Sequence, residues 1–129
     1  MLVFHRLLVS AVALLFIGLG IWLMLYPREV EDLYPIVLQR PMAVSEMRAI
    51  FGGLMLGVGA AVVWLVWRVR RAIDGGVVLL FVFGGLLLAR IAGIVGEGWP
   101  KNTVLTETVF EIVVFAMVLF TTLKIRDRA

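Results

Sequence analysis

Five ionisable side chains sit inside, or at the mouth of, otherwise apolar stretches: Glu46, Arg48, Arg90, Glu107 and Glu111. A charge near the middle of a membrane costs on the order of 2.5–3.5 kcal/mol on insertion scales, so such groups turn inward and find partners. Two arginines opposite two glutamates suit an ion-pair network that fixes helix register. The same groups suit a polar pocket that binds a small polar or anionic ligand, or a partner protein. Glu107 and Glu111, one helical turn apart, are also candidates for proton exchange.

Other chemistry is poorly served. There are no cysteines, which removes disulfides, thiol redox chemistry and Cys-ligated metals. The single histidine, His5, lies at the extreme N-terminus, so no His-rich metal site is expected. Ser10 and Ser45 are the only serines, and neither has a base placed to activate it. Glu46, Glu107 and Glu111 could do acid–base work on a lipid-like substrate, but their spacing is not specific for it. No catalytic residue, metal or cofactor is assigned.

These side chains need elements to hold them. Hydrophobic residues make up 63% of the 129-residue chain and charged residues 16%. Ordinary soluble domains run near 45–50% and about 25%. The mean hydropathy of +1.09 agrees, and the chain reads as an integral membrane protein. Its net charge of +3 is no sign of nucleic-acid binding, because the basic residues flank apolar runs.

Four runs approach the about 20 helical residues that cross a bilayer core: 7–26, 45–67, 77–96 and 103–123. The first is too long for a cleaved signal peptide and lacks a small-residue cleavage site. Residues 27–44 carry three prolines and form a connecting loop, with a short interfacial helix interrupted at Pro35. Asp74-Gly75-Gly76 reads as a turn. Gly96 to Asn102 reads as a second, polar one. The expected fold is all-α, one antiparallel bundle of four membrane-spanning helices.

Lysine and arginine are distributed unevenly. Arg6, Arg68, Arg70, Arg71, Lys124, Arg126 and Arg128 flank one side, while Arg28, Arg40 and Lys101 flank the other. The positive-inside rule puts both termini in the cytoplasm. Trp22 and Trp99 then mark one interface and Trp64 and Trp67 the other.

The second span sets the packing. Ser45 is placed to cap it, with Glu46 in the first turn. At 100° per residue, Glu46, Ala49, Gly53, Gly57 and Ala60 share one stripe, and Arg48, Gly52 and Gly59 share a nearly opposite one. Two small-residue faces predict two close neighbours, making this the most enclosed helix. Gly84, Gly85 and Gly93 are further packing candidates in the third span. The likeness between Phe51-Gly52-Gly53-Leu54 and Phe83-Gly84-Gly85-Leu86 reads as shared packing chemistry rather than an inverted repeat.

With a rise of about 1.5 Å per residue, Arg48, Glu107, Arg90 and Glu111 lie roughly 5, 6, 9 and 12 Å inside one boundary. All four therefore reach one layer. Depth favours Arg48 with Glu107 and Arg90 with Glu111, and the reverse pairing is the alternative.

The chain resembles a family of small bacterial four-helix membrane proteins of unknown function. The shared marks are Pro27, Glu46-x-Arg48-x-x-x-Gly52-Gly53, Gly57 with Gly59, Gly84-Gly85, Arg90-x-x-Gly93, Glu97-Gly98-x-Pro100 and Glu111. Ala89-Arg90 departs from the family's usual Gly-Arg. The likeness covers nearly the whole chain, and implies the fold and the same charged residues but no activity. A distant fold analogy extends to DoxX-like proteins. Small multidrug exporters share the size, but rely on a first-span glutamate that is absent here.

The expected protein lies in a bacterial inner membrane and is non-enzymatic. Its outward-facing charged cluster binds a small ligand or a membrane-protein partner, or only fixes the bundle. A proton- or ion-coupled small-solute transporter is one alternative. A membrane-embedded enzyme is the other.

Overall fold

The computed structural model describes residues 1–99 and 102–127. Pro100 and Lys101 of the predicted polar turn, and Arg128 of the basic flank, lie outside the described residues. Four long helices carry the chain: α1 (Leu2–Leu25), α2 (Pro41–Arg68), α3 (Ala72–Glu97) and α4 (Asn102–Arg126). All are long and apolar enough to cross a membrane. The molecule is an all-α bundle and a multi-pass membrane protein. One end carries the termini and the 69–71 connection. The other carries the two remaining loops, and is called the loop end.

Proline and glycine set the helix boundaries. α1 stops at Tyr26, whose N–H still bonds the Trp22 carbonyl, because Pro27 follows and offers no donor. Two short helical turns, Pro27–Glu29 and Val30–Leu33, stand where a short helix is predicted. Tyr34 then turns extended before Pro35.

α2 starts at Pro41 rather than at a Ser45 cap. Arg40 is extended, and Pro41 supplies a preset φ at the first helical position. Ser45 and Glu46 therefore lie within the helix. Wide π-type turns interrupt α2 at Met47–Gly53 and Trp64–Arg68.

The Asp74-Gly75-Gly76 turn is also corrected. The chain reverses at 69–71, where Arg70 adopts a left-handed φ of 60°. Asp74 lies in the first turn of α3 and pairs with Arg71. Both glycines are buried in helix contacts. A Cβ on Gly76 would meet the His5 ring at 2.7 Å. At its other end α3 closes on Gly98, whose φ of 94° favours glycine.

The main core gathers Val9, Val12, Ala13 and Phe16 of α1 with Val62 and Val66 of α2. α3 adds Ala72, Leu79 and Phe83, and α4 adds Val114 and Val118. Phe16 and Phe83 stack with centroids 5.5 Å apart. No α3 residue beyond Phe83 is buried. A smaller core of Leu23, Val30, Leu38 and Met47 joins α1, α2 and their connecting loop.

α1 is the most enclosed helix, not α2. Of its most apolar window 39% is buried, against 22% for α2. α1 touches all three other long helices. Only one of the two small faces of α2 meets a neighbour. A Cβ on Gly52 would lie 2.7 Å from the Met24 side chain, and one on Gly59 would lie 2.6 Å from the Ala13 carbonyl. The stripe through Ala49, Gly57 and Ala60 is exposed. Gly57 and Gly85 have open space around them, and Gly53, Gly84 and Gly93 make only ordinary contacts. The two Phe-Gly-Gly segments play unlike parts: Phe83 is core, whereas Phe51 is exposed.

Candidate functional site

α3 and α4 are antiparallel neighbours, and this brings Arg90 opposite two glutamates one turn apart. Arg90 grips Glu111 with a two-pronged contact, Nη2 to Oε1 at 3.0 Å and Nε to Oε2 at 3.3 Å. The same Nη2 reaches Glu107 Oε2 at 3.4 Å. A planar guanidinium suits this fork, which a lysine cannot reproduce. Glu111 keeps 10% of its side-chain exposure, Arg90 29% and Glu107 36%. The inner carboxylate is therefore held tightly, and the outer one is reachable.

Arg48 does not join this layer. It is exposed, and the expected pair with Glu107 is absent. The reason is the choice of neighbour: the Met47–Gly53 part of α2 packs chiefly on α1 rather than on α4, so its arginine does not reach Glu107. Arg48 instead lines a cleft of about 480 Å³ at the loop end, together with Tyr26, Arg28, Glu29 and Asp32. Glu46 is exposed as well, and forms no ion pair among the described residues. The four-charge layer thus reduces to three groups, one cation against two anions.

A second polar group, at the terminal end, lies outside the expected cluster. His5 is fully buried. Its Nε2–H donates to the Ala72 carbonyl at 3.1 Å, and its Nδ1 lies 2.7 Å from Thr121 Oγ1. One imidazole thereby ties α1 to the start of α3 and to α4. Nearby, Trp67 Nε1 donates to Ser10 Oγ at 2.8 Å, beneath the Arg6 guanidinium. A signal for His5 existed, since it falls on the buried α1 stripe of Val9, Val12 and Phe16.

Among the described residues, no group of three potential metal-ligating side chains comes together. An apolar groove of about 590 Å³ runs along α3 and α4 past Phe81, Gly84, Leu88 and Phe115, with no ionisable residue in its lining.

No curated protein and no solved structure matches the chain. Family comparison does find a match, and it spans residues 4–122, enclosing His5, Arg48, Arg90, Glu107 and Glu111 alike. With nearly its whole length matched, the chain belongs to the family described as Domain of unknown function (DUF4345).

Proposed function

We propose that this is a non-enzymatic protein of a bacterial inner membrane that binds a small cationic ligand at the Arg90–Glu107–Glu111 cluster. One observation carries the reading: the cluster holds one more carboxylate than cation, and the more exposed carboxylate, Glu107, has the weaker hold on Arg90. An unmatched anion inside a membrane helix is costly, and an incoming cation offsets that cost. With Arg48 elsewhere, a cationic ligand replaces the polar or anionic one expected from a balanced layer.

The alternatives fit less well. A transporter needs a route onward from the cluster. Between Glu111 and Thr121 the buried residues of α4 are Val114 and Val118, packed with Leu79 and Phe83. An enzyme acting on a lipid-like substrate needs an acid or base beside the membrane-facing groove, and its lining has none.

The test uses the purified protein in detergent with ethylammonium and putrescine chlorides as probes. A ligand that binds only the folded state raises its stability by about 2.7 kcal/mol at a hundred times its Kd. Wild type and Arg48→Gln are expected to show a saturable rise in Tm of a few degrees. Glu107→Gln is expected to show none. No rise with either amine, or an equal rise in Glu107→Gln, would overturn the reading and leave the cluster as a clasp.

The charge bias of the flanks supports an orientation with both termini cytoplasmic and the cluster facing outward. A reporter fused after Ala129 should then be active only as a cytoplasmic reporter. Periplasmic activity would reverse the topology.

A further inference from the structure

The cleft beside Arg48 is separate from the cluster, and its charges are arranged differently. Two of its charged groups are committed internally. Glu31 accepts the Leu38 N–H and lies 4.0 Å from Arg28 Nη1, and Arg28 also donates to the Leu38 carbonyl at 3.4 Å. These contacts fold the 27–38 strap back on itself. They leave Arg48 on one helix and Glu29 and Asp32 on the strap, all exposed and all lining one cleft.

No contact within 4.0 Å joins Arg48 to either acid among the described residues. Opposite charges held apart across a cavity of about 480 Å³ suit a ligand that carries both signs. A purely anionic ligand would satisfy Arg48 but face two carboxylates. A purely cationic one would leave the guanidinium unmatched. Arg48 lies seven residues past the Pro41 start of α2, about 10 Å along its axis, and the cleft opens at the loop end beside the 27–32 turns. Tyr26, exposed on the same wall, adds an aromatic ring of the kind that attracts ammonium groups.

We propose that this cleft binds a phosphate–ammonium zwitterion, with the phosphate on Arg48 and the ammonium between Glu29 and Asp32. That chemistry is shared by phosphatidylethanolamine headgroups and by their free glycerophospho form.

Native mass spectrometry of the full chain in detergent tests it, using equimolar short-chain phosphatidylethanolamine and phosphatidylglycerol. Wild type is expected to retain the zwitterionic lipid on the order of tenfold better, the worth of one charge-assisted hydrogen bond. Arg48→Gln should lose that preference, and so should the Glu29→Gln/Asp32→Asn double variant. Arg48→Lys, which keeps the charge, should retain part of it. Glu107→Gln should keep it fully, which separates this site from the cluster. Displacement of the bound lipid by millimolar glycerophosphoethanolamine would identify a free zwitterion as the ligand; failure to displace would identify the lipid. Equal retention of both lipids by wild type, or a preference that survives in both neutralised variants, overturns the proposal.

Discussion

Gly59→Val is expected to destabilise the bundle by about 3 kcal/mol, the upper part of the range for overpacking a tight contact. The reason lies in what a new side chain would strike. The first carbon added at Gly59 would fall 2.6 Å from the Ala13 carbonyl oxygen and 3.1 Å from the Ile17 amide nitrogen. Both are backbone atoms of α1, so no rotamer change relieves the clash. The two helices must part, and the core contacts of Val62 and Ala13 part with them. Gly57→Val is the matched control. Nothing lies within 4 Å of its first added carbon, so its effect should be limited to a helix-propensity gain below about 1 kcal/mol. Reversible unfolding in mixed detergent micelles, titrated with SDS and followed by circular dichroism, measures both. Equal midpoints for the two variants would mean that α1 and α2 do not approach at Gly59.

The same contrast shows what a single chain of letters can and cannot reveal. The spans were legible because a bilayer imposes a length, and an apolar run either meets it or does not. Arg90 and Glu111 were legible as a pair because sign and depth are both one-dimensional quantities. The glycines were not. Gly52, Gly57 and Gly59 look alike in sequence, and only the choice of neighbour decides which of them is jammed. That choice depends on which helices pair, a property of the whole chain. Arg48 was misplaced for the same reason, since depth was matched without the neighbour being known and its part of α2 packs chiefly on α1. Gly75 and Gly76 read as a turn because the usual punctuation was present. Close packing against Val66 and His5 demands the same residue type, and it prevailed. His5 was passed over because it was weighed only as a metal ligand or a catalytic base. As a buried link between three helices it needs no second histidine.

Arg90→Ala should cost the fold about 3–5 kcal/mol, the range seen when one partner of a buried ion pair is removed. The arithmetic of charge explains the size. Wild type already carries one unmatched carboxylate, and the variant would carry two, one of them on Glu111 with a tenth of its side chain exposed. Arg70→Ala removes the same residue type from the exposed connection at the terminal end and should stay within about 0.5 kcal/mol. Adding Glu111→Gln to Arg90→Ala should recover a large part of the loss, because a neutral amide tolerates the site that an orphaned carboxylate does not. Glu107→Gln alone should leave stability unchanged or raise it, since it removes the charge that the cluster lacks a cation to match. SDS-titrated unfolding of these four variants beside wild type measures each effect, and a double variant no better than Arg90→Ala would show that the loss is one of packing. If Glu107→Gln stabilises the bundle, a membrane helix is retaining a carboxylate at the expense of its own stability. A clasp has no use for that charge, whereas a site for a cation does.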